Sequence, residues 1–336
     1  MFCLKINDIF VLMKKNVAVL MGGYSSEYEI SMKSGQVVIE NLDKETYNPY
    51  KIIISKKEWI YLDENNNKFK INKGDFSIQI DNEKIVFDVA LIMIHGSPGE
   101  DGKLQSYFEL LRIPYTGCSS YSSAITFNKR DCISVLKKHN IPSAKSVYLN
   151  LGDKIDEDKI INKIGLPCFV KANRSGSSFG VYMVKHKKDL ANSIEDSLKI
   201  DSEVLIESFL DGIEVSVGVM KYKNNIEVFG ITQLITDNDF FDYEAKYNGK
   251  SKEITPANIS EVQKNNVINI SKNIYKKLGL KGFTISEFIF VGDVPFFLEL
   301  NSVPGMTKES IFPKQAKVKG IPLNELLNEL IKEAIE

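Results

Sequence analysis

Residues 16–23, NVAVLMGG, form an apolar run that stops at two glycines, and YSSEYEISMKSGQVVIENL follows with helical character. An apolar run of this length ending in glycine reads as a buried strand, and strand, glycine turn, helix is the opening of an open α/β sheet. A capping box of Ser26 and Glu29 is predicted to start the helix. FDVALIMIHG repeats the pattern as a second buried strand, and SPGEDGKLQSYFELL carries a glycine-punctuated loop into another helix. Ligands of such sheets bind beyond the carboxyl ends of the strands, where GGYSSE and HGSPGEDG fall. Neither segment has the G-x-G-x-x-G spacing, so the dinucleotide fingerprint is absent.

The chain turns at RIPYTGCSS, and SSAITFNKRDCISVLKKHNI is predicted as one helix ending before Pro142. LPCFVKANRSGSSFGVYMV reads as strand, Gly/Ser-rich loop and strand. Such a loop, with Lys171 just before it, suits phosphate oxygens held by backbone N–H groups with the lysine supplying charge; a flexible hairpin loop with a solvated lysine is the alternative. In EVLIESFLDGIEVSVGVM, Glu207 ends one strand and Glu214 begins another, with Phe209 and Leu210 between. A carboxylate beside an apolar slot suits a ribose and strand-end backbone groups suit a base edge, although surface glutamates give the same pattern. DNDFFDYEAKYNGKSKEITPA reads as an ordered functional loop with Lys246 and Tyr247 as contact residues, and GIPLNELLNELIKEAIE as a docking helix without chemistry.

GFTISEFIFVGDVPFFLELNSVPGMT contains two strands joined by a tight turn. Pairing outward from Asp293 sets Glu287 opposite Glu299 and Ile285 opposite Asn301, all on one face. Two facing carboxylates repel unless a cation lies between them. Oxygen donors without His or Cys suit Mg2+ or Mn2+ over zinc or copper. A solvated outer sheet face is the other reading of alternating carboxylates.

With 336 residues, 43% hydrophobic and 26% charged, the chain has room for two or three domains of an ordinary globular protein. Its net charge of −1 gives no reason to expect nucleic acid or a membrane as partner. Arg112, Arg130 and Arg174 are the only arginines. Cys3, Cys118, Cys132 and Cys168 have no metal spacing and read as reduced thiols of a cytosolic protein. MFCLKINDIFVLMKK is broken by Lys5 and Asp8, and residues 1–15 read as a disordered extension or a start placed upstream of Met13.

GGYSSEYEIS, HGSPGEDG, GSSFGV, YEAKY and LELNSVPGMT, in this order, resemble the D-alanine:D-alanine ligase family of the ATP-grasp superfamily, from about residue 16 to the C-terminus. The resemblance implies an ATP-grasp fold with an N-terminal open α/β domain over 16–112, a central subdomain over 113–202 and a C-terminal subdomain over 203–336. It implies ATP-dependent ligation of two D-alanines through a D-alanyl phosphate, for peptidoglycan precursors, in the cytoplasm and as a homodimer. Lys129 and Lys171 match the phosphate lysines, with Ser178 in the same loop, and Glu207, Phe209, Leu210 and Glu214 match the adenine and ribose contacts. Glu287, Glu299 and Asn301 match the ligands of two Mg2+ or Mn2+ ions. Glu27, with Ser177 and Tyr247, matches the receiver of the first D-alanine's ammonium, and His95 lies beside it. Gly305, Met306 and Ser310 match the seat of the second substrate's carboxylate, and Lys246 matches a lid residue that approaches the transferred phosphoryl group.

Ile285 departs from the pattern, because the family usually has there an Arg that stabilises the oxyanion of the tetrahedral intermediate. Loss of such a donor costs ~10²- to 10³-fold in rate. An ATP-grasp ligase of impaired activity, or a nucleotide-binding paralogue, is therefore the competing reading.

Overall fold

The computed structural model describes residues 14–176, 179–236 and 251–336. Its first unit contains β1 (Lys15–Gly22), α1 (Tyr28–Asn41), β2 (Tyr47–Ile54), β3 (Trp59–Leu62), β4 (Lys68–Lys70), β5 (Ile78–Ile80), β6 (Glu83–Ile85), β7 (Val89–Ile92) and α2 (Lys103–Leu111). Five of these strands form one sheet in the order β4-β3-β2-β1-β7, with β1 parallel to both β2 and β7. Val17 to Met21 and Val89 to Leu91 are wholly buried, as their unbroken apolar runs require of strands covered on both faces.

The next stretch comprises α3 (Ser120–Phe127), α4 (Lys129–Lys137), β8 (Ser146–Asn150), α5 (Glu157–Ile164), β9 (Cys168–Ala172), β10 (Val181–Val184), α6 (Leu190–Leu198) and β11 (Glu203–Ser208). Its sheet is antiparallel, ordered β10-β9-β11-β8. The third unit has β12 (Ile213–Tyr222), β13 (Asn225–Thr236), β14 (Ser251–Ile254), α7 (Glu261–Lys277), β15 (Thr284–Val291), β16 (Val294–Asn301), α8 (Ile311–Val318) and α9 (Leu323–Ile335). Its antiparallel sheet runs β14-β13-β12-β15-β16. Leu326, Leu327, Leu330 and Ile331 of α9 share an apolar cluster with Val17, Val19 and Met21 of β1 and with Phe283 and Met306, so the C-terminal helix bolts the first unit to the third.

Two local expectations are corrected. Residues 120–137 are two helices, because Asn128 leaves the helical region at φ −91° and ψ 99° and its side chain accepts the Asp131 N–H as the cap of α4. Asparagine competes with the helix for backbone donors, and here that break places Lys129 in a first turn. The capping box of Ser26 and Glu29 does not form: α1 starts after Glu27 with no side-chain cap. Ser25 Oγ accepts the Glu27 N–H at 3.2 Å and donates to His95 O at 2.9 Å, so this turn is tied to the neighbouring loop.

Candidate active site

The β15–β16 hairpin pairs Glu287 with Glu299 and Ile285 with Asn301. Its turn, however, pairs Val291 with Val294, a register that would carry Glu287 opposite Leu298. A bulge beyond Glu287 takes up Leu298 and brings the two carboxylates face to face. The Lys129 ammonium lies 3.0 Å from Glu299 Oε2 and 2.5 Å from Ser175 O, so a cation already stands beside this pair. Among the described residues no three His, Cys, Asp or Glu side chains gather to hold a metal. Two carboxylates with an amide oxygen remain a hard-donor set that suits a divalent cation also bound to phosphate oxygens. Ile285 lies on the same face, only 6% exposed, in the apolar cluster that includes Met306 and Phe312.

Lys171 Nζ lies 2.8 Å from Glu207 Oε2 and 5.6 Å from the centre of the Phe169 ring. Burial would lower the Lys171 pKa, but the charge and hydrogen bond of Glu207, aided by Glu299 and Glu214, raise it above the usual lysine value. Glu207 is itself buried, and its Oε1 has no hydrogen-bond donor. Phe169 and Phe209 lie beside it with ring centroids 6.2 Å apart. An apolar slot with a vacant buried acceptor suits a flat base carrying an amino group. Leu210 and Glu214 continue its rim at partial exposure.

At the other end, a Cβ on Gly176 would lie 3.0 Å from Glu27 Oε2 and one on Gly96 3.4 Å from it, so the Glu27 carboxylate sits between the glycine-rich loop and the 95–102 loop. His95 is buried, with Nδ1 2.7 Å from Val303 O and Nε2 3.0 Å from Ser34 Oγ. A carbonyl partner requires the proton on Nδ1, and Nε2 faces the Ser34 hydroxyl. Ser34 Oγ also accepts the Met306 N–H at 3.2 Å, so that N–H is engaged within the protein. Gly305 closes on Ser310: a Cβ there would lie 2.6 Å from Ser310 Oγ. Ser310 Oγ accepts the Thr307 N–H at 3.1 Å in the turn that opens α8. Ser177, Ser178, Lys246 and Tyr247 lie outside the described residues.

Two family profiles match the chain: "D-ala D-ala ligase N-terminus" over residues 16–118 and "D-ala D-ala ligase C-terminus" over residues 135–332. The chain belongs to the D-alanine–D-alanine ligase family. The D-alanine–D-alanine ligase of Flavobacterium johnsoniae is 53% identical over 318 residues, which are 95% of this chain and 98% of that protein. The solved structure of D-alanyl-alanine synthetase A from Vibrio cholerae is similar at a TM-score of 0.86 and 27% identity, covering 96% of this chain and 98% of that one. The Bacillus anthracis D-alanine–D-alanine ligase complexed with ATP matches at a TM-score of 0.77 and 27% identity, covering 96% and 97%. The fold is therefore ATP-grasp, behind an N-terminal α/β unit.

One buried carboxylate of the site was not singled out in the sequence. Glu100 is sealed under the site, where Oε2 accepts the Gly96 N–H at 2.7 Å and Oε1 the Val303 N–H at 3.2 Å. Burial, reinforced by the charge of Glu27, pushes its carboxyl up to about 7. Its only sequence signal is a carboxylate inside the glycine-punctuated SPGEDG. Arg174 donates to Asp201 through Nε at 3.0 Å and Nη2 at 2.5 Å. Cys118, Cys132 and Cys168 are free and buried. No helix among the described residues is long and apolar enough to cross a membrane.

Proposed function

We infer that the protein joins two D-alanines with ATP along the cleft between Lys171 and Glu27. The observation that carries this reading is the facing pair Glu287 and Glu299 with Lys129 3.0 Å from Glu299, because it sets a phosphate-seeking cation beside an oxygen-donor set. The base enters the slot at Phe169 and Phe209, where an amino group satisfies Glu207 Oε1, and Glu214 receives the ribose. Lys129 and Lys171 hold the phosphates with backbone N–H groups of the glycine-rich loop, including that of Ser178. Glu287, Glu299 and Asn301 hold two Mg2+ or Mn2+ ions, which when bound offset the polyphosphate charge.

Glu27 receives the ammonium of the first D-alanine, through Ser177 and Tyr247 by the family pattern, with His95 and Glu100 fixing the loops around it. One oxygen of that substrate's carboxylate attacks the γ-phosphorus, the bond to ADP breaks, and an acyl phosphate forms. Lys246 closes over the transferred group. The Ser310 hydroxyl at the start of α8 seats the second substrate's carboxylate, beside Met306, whose own N–H stays with Ser34. Its amine, having lost a proton, attacks the acyl carbon, and phosphate leaves to give D-alanyl-D-alanine, a precursor of the cell wall. With Ile285 in place of the usual Arg, the Gly305 N–H would be this chain's donor to the oxyanion, and divalent ions held by Glu287, Glu299 and Asn301 would add positive charge to the site.

A cytoplasmic location and a homodimer belong to the same reading. The dimer is supported by Leu110 and Tyr121, 84% and 71% exposed on the adjoining helices α2 and α3. So does the division of the chain, with the last boundary moved beyond Ser208 because β11 pairs in the second sheet. The test is D-alanine-dependent phosphate release by the natural protein and by Ile285→Arg, side by side. Natural activity is expected, with kcat changed less than about tenfold by the substitution and stability lowered, since Ile285 fills an apolar cluster. A silent natural protein restored by the arginine would overturn the reading in favour of a decayed ligase.

A further inference from the structure

We propose that Asn173 is a positioning residue that couples Lys129, Lys171 and the glycine-rich loop into one phosphate-binding unit. The proposal rests on the reading that these lysines hold the phosphates of ATP. Asn173 follows β9 two residues after Lys171 and is fully buried. Its Oδ1 accepts the Arg130 N–H at 2.8 Å, and its Nδ2 donates to Asn128 Oδ1 at 2.8 Å and to Glu203 Oε2 at 2.7 Å. Its backbone carbonyl faces the Lys129 N–H at 3.4 Å, and its own N–H donates to Glu203 O at 3.0 Å. One side chain therefore grips the residues on both sides of Lys129 and the first residue of β11, the strand that carries Glu207.

The chemistry of this knot selects an amide. Three partners converge on the side chain, and they are one donor and two acceptors; asparagine supplies one acceptor atom and two N–H groups in one plane. Aspartate has the same shape but would face Asn128 Oδ1 and Glu203 Oε2 with an oxygen. The start of the loop is fixed from the other side as well, where the Arg174 N–H donates to Asp201 Oδ2 at 2.7 Å. Between these anchors the Lys129 ammonium bonds to Ser175 O, inside the loop. Movement of Asn173 would thus shift Lys129 and the loop away from Lys171, which is held independently on Glu207. At the amino-acid end, His95 and Glu100 are held by Ser34, Val303 and Gly96, and the loop meets that end where Gly176 packs against the Glu27 carboxylate.

The test is the separation of substrate constants in Asn173→Asp. KM for ATP is expected to rise ~10- to 100-fold with kcat reduced, as small misplacements of binding groups do, while KM for D-alanine rises much less, because among the contacts described the loop meets that end through Gly176 and Glu27 alone. Adding Glu203→Gln in the same chain supplies a donor opposite the new carboxylate, and ATP binding is expected to recover in part. If Asn173→Asp does not fold, Asn173→Ser drops both Nδ2 donations without adding charge and is expected to show the same separation. Unchanged KM for ATP, an equal loss for both substrates, or a lowered melting temperature with normal constants would overturn the proposal. Lys171→Ala, measured by direct ATP titration, is the control for the site itself: unweakened binding there would discredit the ATP-site reading, whatever Asn173 does.

Discussion

Glu100 shows how one buried carboxyl can tie a site to pH. Its two oxygens join the 95–102 loop to the chain after β16 through the N–H groups of Gly96 and Val303. Burial and the nearby Glu27 raise its pKa from the usual 4.5 to about 7, so the folded protein keeps a proton that the unfolded chain has lost between those values. A raised carboxyl pKa makes this group's contribution fall as pH rises through that window, by roughly 3 kcal/mol, and leaves it flat above. Urea unfolding at pH 5 and pH 8 is expected to show the natural protein losing that much relative to Glu100→Gln. Parallel behaviour of the two proteins would mean that Glu100 is not protonated in the fold. Glu100 was hard to read from sequence for the same reason that makes it informative: one of its hydrogen-bond donors, Val303, is 203 positions away, and no local pattern reports such a contact. Glu27, by contrast, stands in a strand-end loop that the α/β pattern alone marks as a ligand edge.

At the scale of elements, the break at Asn128 matters because it turns a helix interior into a helix start. Asn128→Ala removes the bond to the Asp131 N–H and an acceptor of Asn173, at an expected cost of about 1–2 kcal/mol with weaker ATP binding. Chemical denaturation and ATP titration of the variant measure both; a neutral change in each would show that the break is dictated elsewhere. The apolar spacing of residues 120–137 hides this break, because asparagine is tolerated within helices and its partners lie just after β9 and on β11. The hairpin teaches a different lesson. Pairing outward from Asp293 gives the observed facing of Glu287 and Glu299, yet the turn is centred between Gly292 and Asp293, and the bulge at Leu298 makes up the difference. Alternation made the shared face legible, whereas the bulge at Leu298 leaves no mark in the local sequence.

For the whole molecule, α9 decides whether the two ends of the site stay together. Leu327 is completely buried in the cluster that also holds Val19 and Met21 of β1 and Met306 beside the α8 turn. Leu327→Ala is expected to cost about 2–5 kcal/mol, read as a lower urea midpoint, with kcat per folded molecule preserved because the helix touches no substrate. A normal midpoint would show that the cluster does not hold the units together. The family and the fold class were legible from motifs at strand ends; the union of the first and last units was not, since an amphipathic helix does not announce which sheet it will cover.

The most direct measurement is the joint yield of dipeptide and ADP when the natural protein meets ATP, Mg2+ and D-alanine. One D-alanyl-D-alanine is expected for each ADP, with no ADP formed when D-alanine is withheld. ADP without dipeptide, or neither product from a folded protein that binds ATP, would contradict the assignment of this cleft to D-alanine ligation.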